Sequence, residues 1–295
     1  MADRYFDPAG LARLGNMELV ARQVVEGFLT GRHRSPFHGF SVEYLDHRAY
    51  APGDELRGLD WKILARTDKY YIKLFEDETN LRAHILLDCS RSMGFKSGAI
   101  SKLEYGSYLA AALGHLMLRQ NDAVGLVTFD QQVRAFLTPQ ARPTQFRRIL
   151  DELETTTARN ETDLGAILHE VAERIRRRGL VIVISDLLDD PEKIADGLQH
   201  FRHDRHEVIV FHVLDDAELN FPFERLTRFK DMEGTGFVVA NPQNLRQHYL
   251  ERLRAFTDQL QAICFDRKIG YVRANTSQPY DVLLAEYLEK RARLG

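Results

Sequence analysis

From residue 84 onward, short apolar runs alternate with longer stretches in which apolar residues recur at helical spacing. Residues 84–88, 123–129, 133–137, 180–185, 208–213 and 270–273 have strand length, and 236–240 reads as a further short strand. Between them lie amphipathic segments. Residues 101–119 place Leu109, Ala112, Leu113, Leu116 and Met117 on one face. Residues 163–178 do the same with Leu164, Ile167, Leu168, Val171 and Ile175, and 245–263 with Tyr249, Leu253, Phe256, Leu260 and Ile263. Further helices are expected at 143–154, from Pro191, and at 279–293. The link Asp130-Gln131-Gln132 joins two strand-like runs and predicts an antiparallel hairpin. Near-continuous apolar strands separated by helices predict an open, doubly wound, mostly parallel α/β sheet of about six strands, with helices on both faces.

Before residue 80 the pattern changes. Gly, His, Arg, Tyr and Asp are mixed without long periodicity, so residues 1–79 read as an N-terminal extension that wraps the sheet domain of residues 80–295. Within it, residues 70–75 alternate like a strand that extends the sheet or pairs beside its first strand. Arg48, Asp54, Arg57, Asp60 and Arg66 are placed to form internal ion pairs, and Trp61 is the sole tryptophan. A large aromatic is usually buried, which favours a wrapping role; Trp, Tyr and Arg also dominate interface hot spots, which is the alternative. His33, His38 and His47 lie close together but lack zinc-ligand spacing.

Composition narrows the function classes. A formal net charge of -3 over 295 residues gives no basic balance for nucleic acid. Arg174, Arg176, Arg177 and Arg178 read as the cationic C-terminal end of a helix closed by Gly179. Two cysteines, Cys89 and Cys264, make no disulfide framework and suit a reducing compartment. No secretory signal opens the chain, and no apolar run approaches the ~20 residues of a membrane span. Together these place the protein in the cytoplasm.

Candidate chemistry sits at element boundaries. Asp88-Cys89-Ser90-Arg91-Ser92 follows the first strand of the sheet domain, Thr162 precedes a helix, and Asp186 follows the strand at 180–185. In an open α/β sheet these positions share the carboxyl edge, where ligands bind. One carboxylate and two hydroxyls at alternate positions form a hard oxygen set suited to Mg²⁺, with Mn²⁺ or Ca²⁺ as alternatives. Each part has a plainer reading as a helix cap or turn residue. The Asp-x-Ser-x-Ser, the distant Thr and the strand-terminal Asp, in this order, resemble the metal-ion-dependent adhesion site (MIDAS) of von Willebrand factor A domains. That resemblance implies Ser90, Ser92 and Thr162 as direct ligands and Asp88 and Asp186 as water-mediated ones. It also implies a protein partner whose acidic side chain completes the shell. The chain departs from the pattern at Asp186-Leu187, where many family members have Asp-Gly.

A second resemblance spans nearly the whole chain. Residues 31–39 (Gly-Arg-His-Arg-Ser-Pro-Phe-His-Gly), residues 43–50, Pro52-Gly53-Asp54, Arg57 and Asp60-Trp61 look like the signature of the domain-of-unknown-function family DUF58. So does the tail from Tyr271 to Arg291, with Thr276, Pro279 and Tyr287. The resemblance implies a metal-dependent adaptor or chaperone-like partner of a MoxR-type AAA+ ATPase, without catalysis of its own; some relatives carry transmembrane helices before this signature, and the sequence here shows none. The rival enzyme class is a haloacid dehalogenase-like phosphatase. It requires a carboxylic acid where Ser90 stands, and a lysine ahead of Asp186 that residues 174–184 do not supply. No Gly-x-Ser-x-Gly elbow is present for a serine hydrolase. A structural module with a vestigial site is the third reading.

Overall fold

A computed structural model describes residues 8, 11, 16–31, 47–49, 70–73, 81–230 and 236–294. The main sheet has six strands: β1 (Arg82–Asp88), β2 (Ala123–Phe129), β3 (Val133–Gln140), β4 (Leu180–Ser185), β5 (Glu207–Leu214) and β6 (Gly270–Asn275). Their spatial order is β6-β5-β4-β1-β2-β3. All neighbours are parallel except β2 and β3, whose antiparallel pairing is the hairpin expected at 130–132. The chain leaves β1 toward β2 and later returns on the other side as β4. The order therefore reverses at the β1/β4 boundary, and the carboxyl ends of those two strands form the crevice of the fold.

Strand alternation distributes the core to two faces. Ala83, Ile85 and Leu87 of β1, with Ile182 and Ile184 of β4, enter one apolar cluster; Leu86, Val181 and Val183 enter the other. The first cluster is closed by α1 (Met17–Gly31), α2 (Lys102–Arg119), α3 (Pro143–Thr155) and α8 (Tyr280–Leu294). The second is closed by α4 (Leu164–Arg174), α5 (Pro191–His203) and α7 (Pro242–Asp266). A short α6 (Asp216–Asn220) follows β5. Gly179 enters β4 where an added Cβ would lie 2.1 Å from the Arg82 carbonyl oxygen, so only glycine permits this approach of β4 to β1. Cys89 and Cys264 are free, buried, and belong to opposite faces.

Several expectations are corrected. The helix expected over 163–178 ends at Arg174, with Ile175 as its C-cap, so Arg176, Arg177 and Arg178 lie in the loop to β4 and cap nothing. The strand at Phe237–Ala240 lies outside the main sheet and pairs antiparallel with Thr227–Lys230, a strand the pattern did not suggest. Tyr71–Lys73 does not join the main sheet either; it pairs antiparallel with His47–Ala49 in a separate two-stranded sheet. By their contacts, residues 1–31 group with residues 81–295, and residues 32–80 form a second unit. Helix α1 contributes Val20, Ala21, Val24 and Val25 to the same core as α2. His33, His38, Asp54, Arg57, Asp60, Trp61 and Arg66 lie outside the described residues.

Candidate metal centre

The register of β1 on β4 pairs Leu87 with Ile184, so Asp88 and Ser185 emerge side by side at the crevice. The Ser185 hydroxyl donates to Asp88 Oδ2 at 2.6 Å and accepts from the Leu187 amide at 3.0 Å, which ties the two strand ends together. Asp88 Oδ1 accepts from the Ser90 amide at 2.8 Å and shapes the turn that follows. Ser90 and Ser92 then face one another, hydroxyl to hydroxyl, at 3.1 Å. Segment 159–162 is brought to this turn by two backbone bonds. The Arg159 amide donates to the Cys89 carbonyl at 2.9 Å, and the Arg91 amide to the Asn160 carbonyl at 2.7 Å.

The plainer capping readings do not account for these side chains. Ser90 occupies the N-cap of the 3₁₀ turn Arg91–Gly94, yet its hydroxyl makes no capping bond. Helix α4 is capped by Asp163, which accepts from the Ala166 amide, and Asp189 accepts from the Leu164 amide at its N-terminus. Thr162 Oγ1 is left buried with no hydrogen-bond partner. Asp190, not Asp186, caps α5. The hydroxyls and the Asp186 carboxylate are thus not consumed by helix ends.

Asp88, Ser90, Ser92 and Asp186 are each almost wholly buried, so Ser90 is not the exposed rim residue that its place in a turn suggests. Burial, and next the Asp186 charge, push the Asp88 carboxyl up to about 7, against hydrogen bonds from Ser185 and Ser90 that favour the ionised form. Two buried carboxylates beside the facing Ser90 and Ser92 hydroxyls, with the unpartnered Thr162 hydroxyl two residues beyond Asn160, form a donor set that a hard divalent ion fits. An ion there would relieve the repulsion that protonation of Asp88 otherwise relieves. Among the described residues no group of three or more His, Cys, Asp or Glu is placed to hold a metal ion, so an ion here would need the hydroxyls as well as the two carboxylates.

Sequence reasoning missed Lys102. Its ammonium donates to Asp186 Oδ2 at 2.8 Å and to Glu218 Oε1 at 2.9 Å, and the residue is 1% exposed. Burial opposes its charge, but Asp186 and then Glu218 outweigh that penalty and hold the ammonium well above the ordinary lysine range. The cation stands in the first turn of α2, where the helix dipole disfavours it, so the two carboxylates compensate the dipole as well as the burial. The placement follows from helical period. Lys102 shares a face with Tyr105, Gly106 and Leu109, all buried, and an added Cβ on Gly106 would press Ile184 and Leu87 at 3.1 Å. A lysine opening the buried stripe of an amphipathic helix was the available signal. Glu218 is presented by α6, whose capping box with Asp215 fixes the other carboxylate oxygen on the Asp215 amide at 2.7 Å.

Leu187, where the resemblance expects glycine, has φ 53° and is buried. The loop therefore keeps the left-handed geometry that glycine would adopt freely, and a leucine tolerates it because its side chain packs in the second apolar cluster.

Comparison with known proteins agrees with this architecture. The chain is 28% identical over 220 residues to the uncharacterized protein Rv1480 of Mycobacterium tuberculosis, covering 73% of this chain and 68% of that protein. Its fold is similar to that of the conserved hypothetical protein BatB from Bacteroides thetaiotaomicron, with a TM-score of 0.50 at 20% identity, over 72% of this chain and 98% of BatB. It is equally similar, at a TM-score of 0.50 and 19% identity, to an aerotolerance-related membrane protein from Bacteroides fragilis, over 71% of this chain and 98% of that one. The sheet order and these likenesses show the von Willebrand factor A-like fold that the sequence led us to expect. Residues 46–258 match the family model described as protein of unknown function DUF58, and the chain belongs to that family.

Proposed function

We propose that this protein is a metal-dependent adaptor that binds another polypeptide and catalyses nothing itself. The observation that carries the reading is the convergence of Asp88, Ser90, Ser92 and Asp186 at the β1/β4 crevice, with hydroxyls that cap no helix. In this reading Ser90, Ser92 and Thr162 hold Mg²⁺, or Mn²⁺ or Ca²⁺ in its place, directly, and Asp88 and Asp186 act through water. The ion supplies a positive charge that a partner's Asp or Glu side chain completes. The family resemblance points to a MoxR-type AAA+ ATPase as that partner. Among the described residues no helix is long and apolar enough to cross a membrane, and both cysteines are free, which supports work in the cytoplasm.

Lys102 gives the phosphatase alternative the cation it lacked in sequence, because it reaches Asp186 from α2. Its ammonium is already bound to two carboxylates, however, and a hydroxyl still stands at Ser90 where that chemistry needs a carboxylic proton donor. The adaptor reading therefore stands ahead.

Pull-down of a purified MoxR-type AAA+ ATPase from the same organism, in Mg²⁺ and in chelator, tests the proposal. Capture in Mg²⁺ that is lost in chelator and in Thr162→Ala is expected. Equal capture under all three conditions would show docking that does not use the metal centre and would overturn the metal-dependent reading.

A further inference from the structure

Beside the candidate metal centre, a cavity of about 360 Å³ opens between α2, α6, α7 and the strand Thr227–Lys230. Ser92 and Lys102 line it on the metal side, and Phe221, Phe223, Phe229 and Tyr249 form its apolar walls. These four rings brace one another. Phe221 contacts Phe223, Phe229 and Tyr249 at centroid distances of 5.1, 5.7 and 4.8 Å, and Phe223 meets Phe229 edge to face at 5.4 Å. Such walls are set before any ligand arrives, so a guest pays little ordering cost. The cavity's charged lining groups, Lys102 and Glu218, are ion-paired at 2.9 Å, and the same ammonium also holds Asp186 at 2.8 Å. The interior therefore offers apolar surface with no unpaired charge of its own. Ser92 belongs both to this lining and to the facing hydroxyl pair of the metal centre, so the two sites are continuous.

We propose that this aromatic cavity receives a large apolar side chain of the partner, next to the acidic residue that completes the metal centre. The recognised element is then a short acidic–apolar pair. The carboxylate is directed to the ion, and the neighbouring aromatic or branched aliphatic group is buried among Phe221, Phe223, Phe229 and Tyr249. The volume suits a single such side chain, and rigid aromatic walls are a common setting for the anchor residue of an interface. The inference rests on the metal-dependent reading above and deepens it: the ion attracts any accessible carboxylate, whereas the cavity selects among them.

The probes are 3-phenylpropanoate, which carries a ring and a carboxylate, and propanoate, which lacks the ring. Both are titrated by NMR into the full chain in Mg²⁺, and Mn²⁺ uptake is measured separately without either probe. We expect 3-phenylpropanoate to bind about tenfold more tightly, as burial of an aromatic group would give. Phe229→Ala and Tyr249→Ala are each expected to remove most of that advantage while leaving Mn²⁺ uptake and the folded spectrum as in the wild type. Two wall variants from different elements guard against one of them failing to fold. Normal Mn²⁺ uptake with no preference for the ring, or a preference that survives in a folded wall variant, would overturn the cavity proposal alone. A wild-type chain that takes up no Mn²⁺ would overturn the metal reading on which it rests.

Discussion

Single residues carry the site's energetics. Lys102, Asp186 and Glu218 form a buried ionic cluster, and removing one partner of such a cluster leaves an uncompensated charge. Lys102→Met should therefore cost about 3–5 kcal/mol, read by chemical denaturation in chelator. It should also tighten divalent-ion binding, because a fixed positive charge beside Asp186 is gone, and added Mg²⁺ should recover part of the lost stability. A variant that melts like the wild type would show that the pair is weakly coupled. Leu187→Gly poses a contest between relieved backbone strain and lost burial. The strain is worth about 1–2 kcal/mol. Truncating a buried leucine costs about 2–5 kcal/mol even to alanine. Net destabilisation is expected despite the better backbone match, and a rise in Tm would contradict this weighing.

At the scale of elements, strand β1 carries a histidine that should shape the acid limb of stability. Burial first, then His206 and Arg82, lower the His84 imidazole to about 4 from its ordinary 6.5. The unfolded chain takes up a proton at His84 as pH falls below about 6.5, and the folded chain does not until about 4. This contribution is complete above pH 6.5 and is lost progressively between 6.5 and 4, on the order of 3 kcal/mol in all. Unfolding measured at pH 7 and pH 4.5 should show a smaller difference in His84→Leu than in the wild type; an unchanged difference would place the titration elsewhere. His212 on β5, also lowered to about 4 chiefly by burial, adds to the same limb and explains why the slope is not expected to vanish. Helix α2 depends on its capping box, in which the Ser101 hydroxyl and the Glu104 carboxylate each accept from the other's amide. Ser101→Ala should cost about 1 kcal/mol.

Elements were legible in the sequence where hydrophobic period is long and unbroken: all six strands of the main sheet, the β2–β3 hairpin and the helices of residues 102–119, 191–203 and 242–266. Thr227–Lys230 was not, because a four-residue strand in a two-stranded sheet leaves no periodic signature. The β1, 90–92 and β4 components of the site were legible because each falls at a boundary that topology delivers to one edge. Lys102, Ser185 and Glu218 were not, since their roles depend on which side chains meet across 84–116 residues of chain.

At the scale of the whole molecule, the sheet holds the crevice rigidly between two apolar clusters, while the groups that touch it come from separate elements. Asp88 leaves β1, Asp186 follows β4, Lys102 opens α2 and Glu218 is set by α6. Removing a single hydroxyl at the crevice should thus change binding without dissolving the fold, unlike removal of Lys102 from its buried ion pairs. Loss of the Ser90 hydroxyl removes one contact to Ser92, a penalty of about 1 kcal/mol. The account's central claim is that these groups form a divalent-cation site, and Mn²⁺ titration of the wild type, Asp88→Ala and Thr162→Ala, followed by calorimetry or electron paramagnetic resonance, tests it most directly. The account predicts one ion per chain in the wild type and affinity lower by about 10–100-fold in each variant, with Tm little changed in Thr162→Ala. Equal uptake by all three proteins, or none by the wild type, would contradict it.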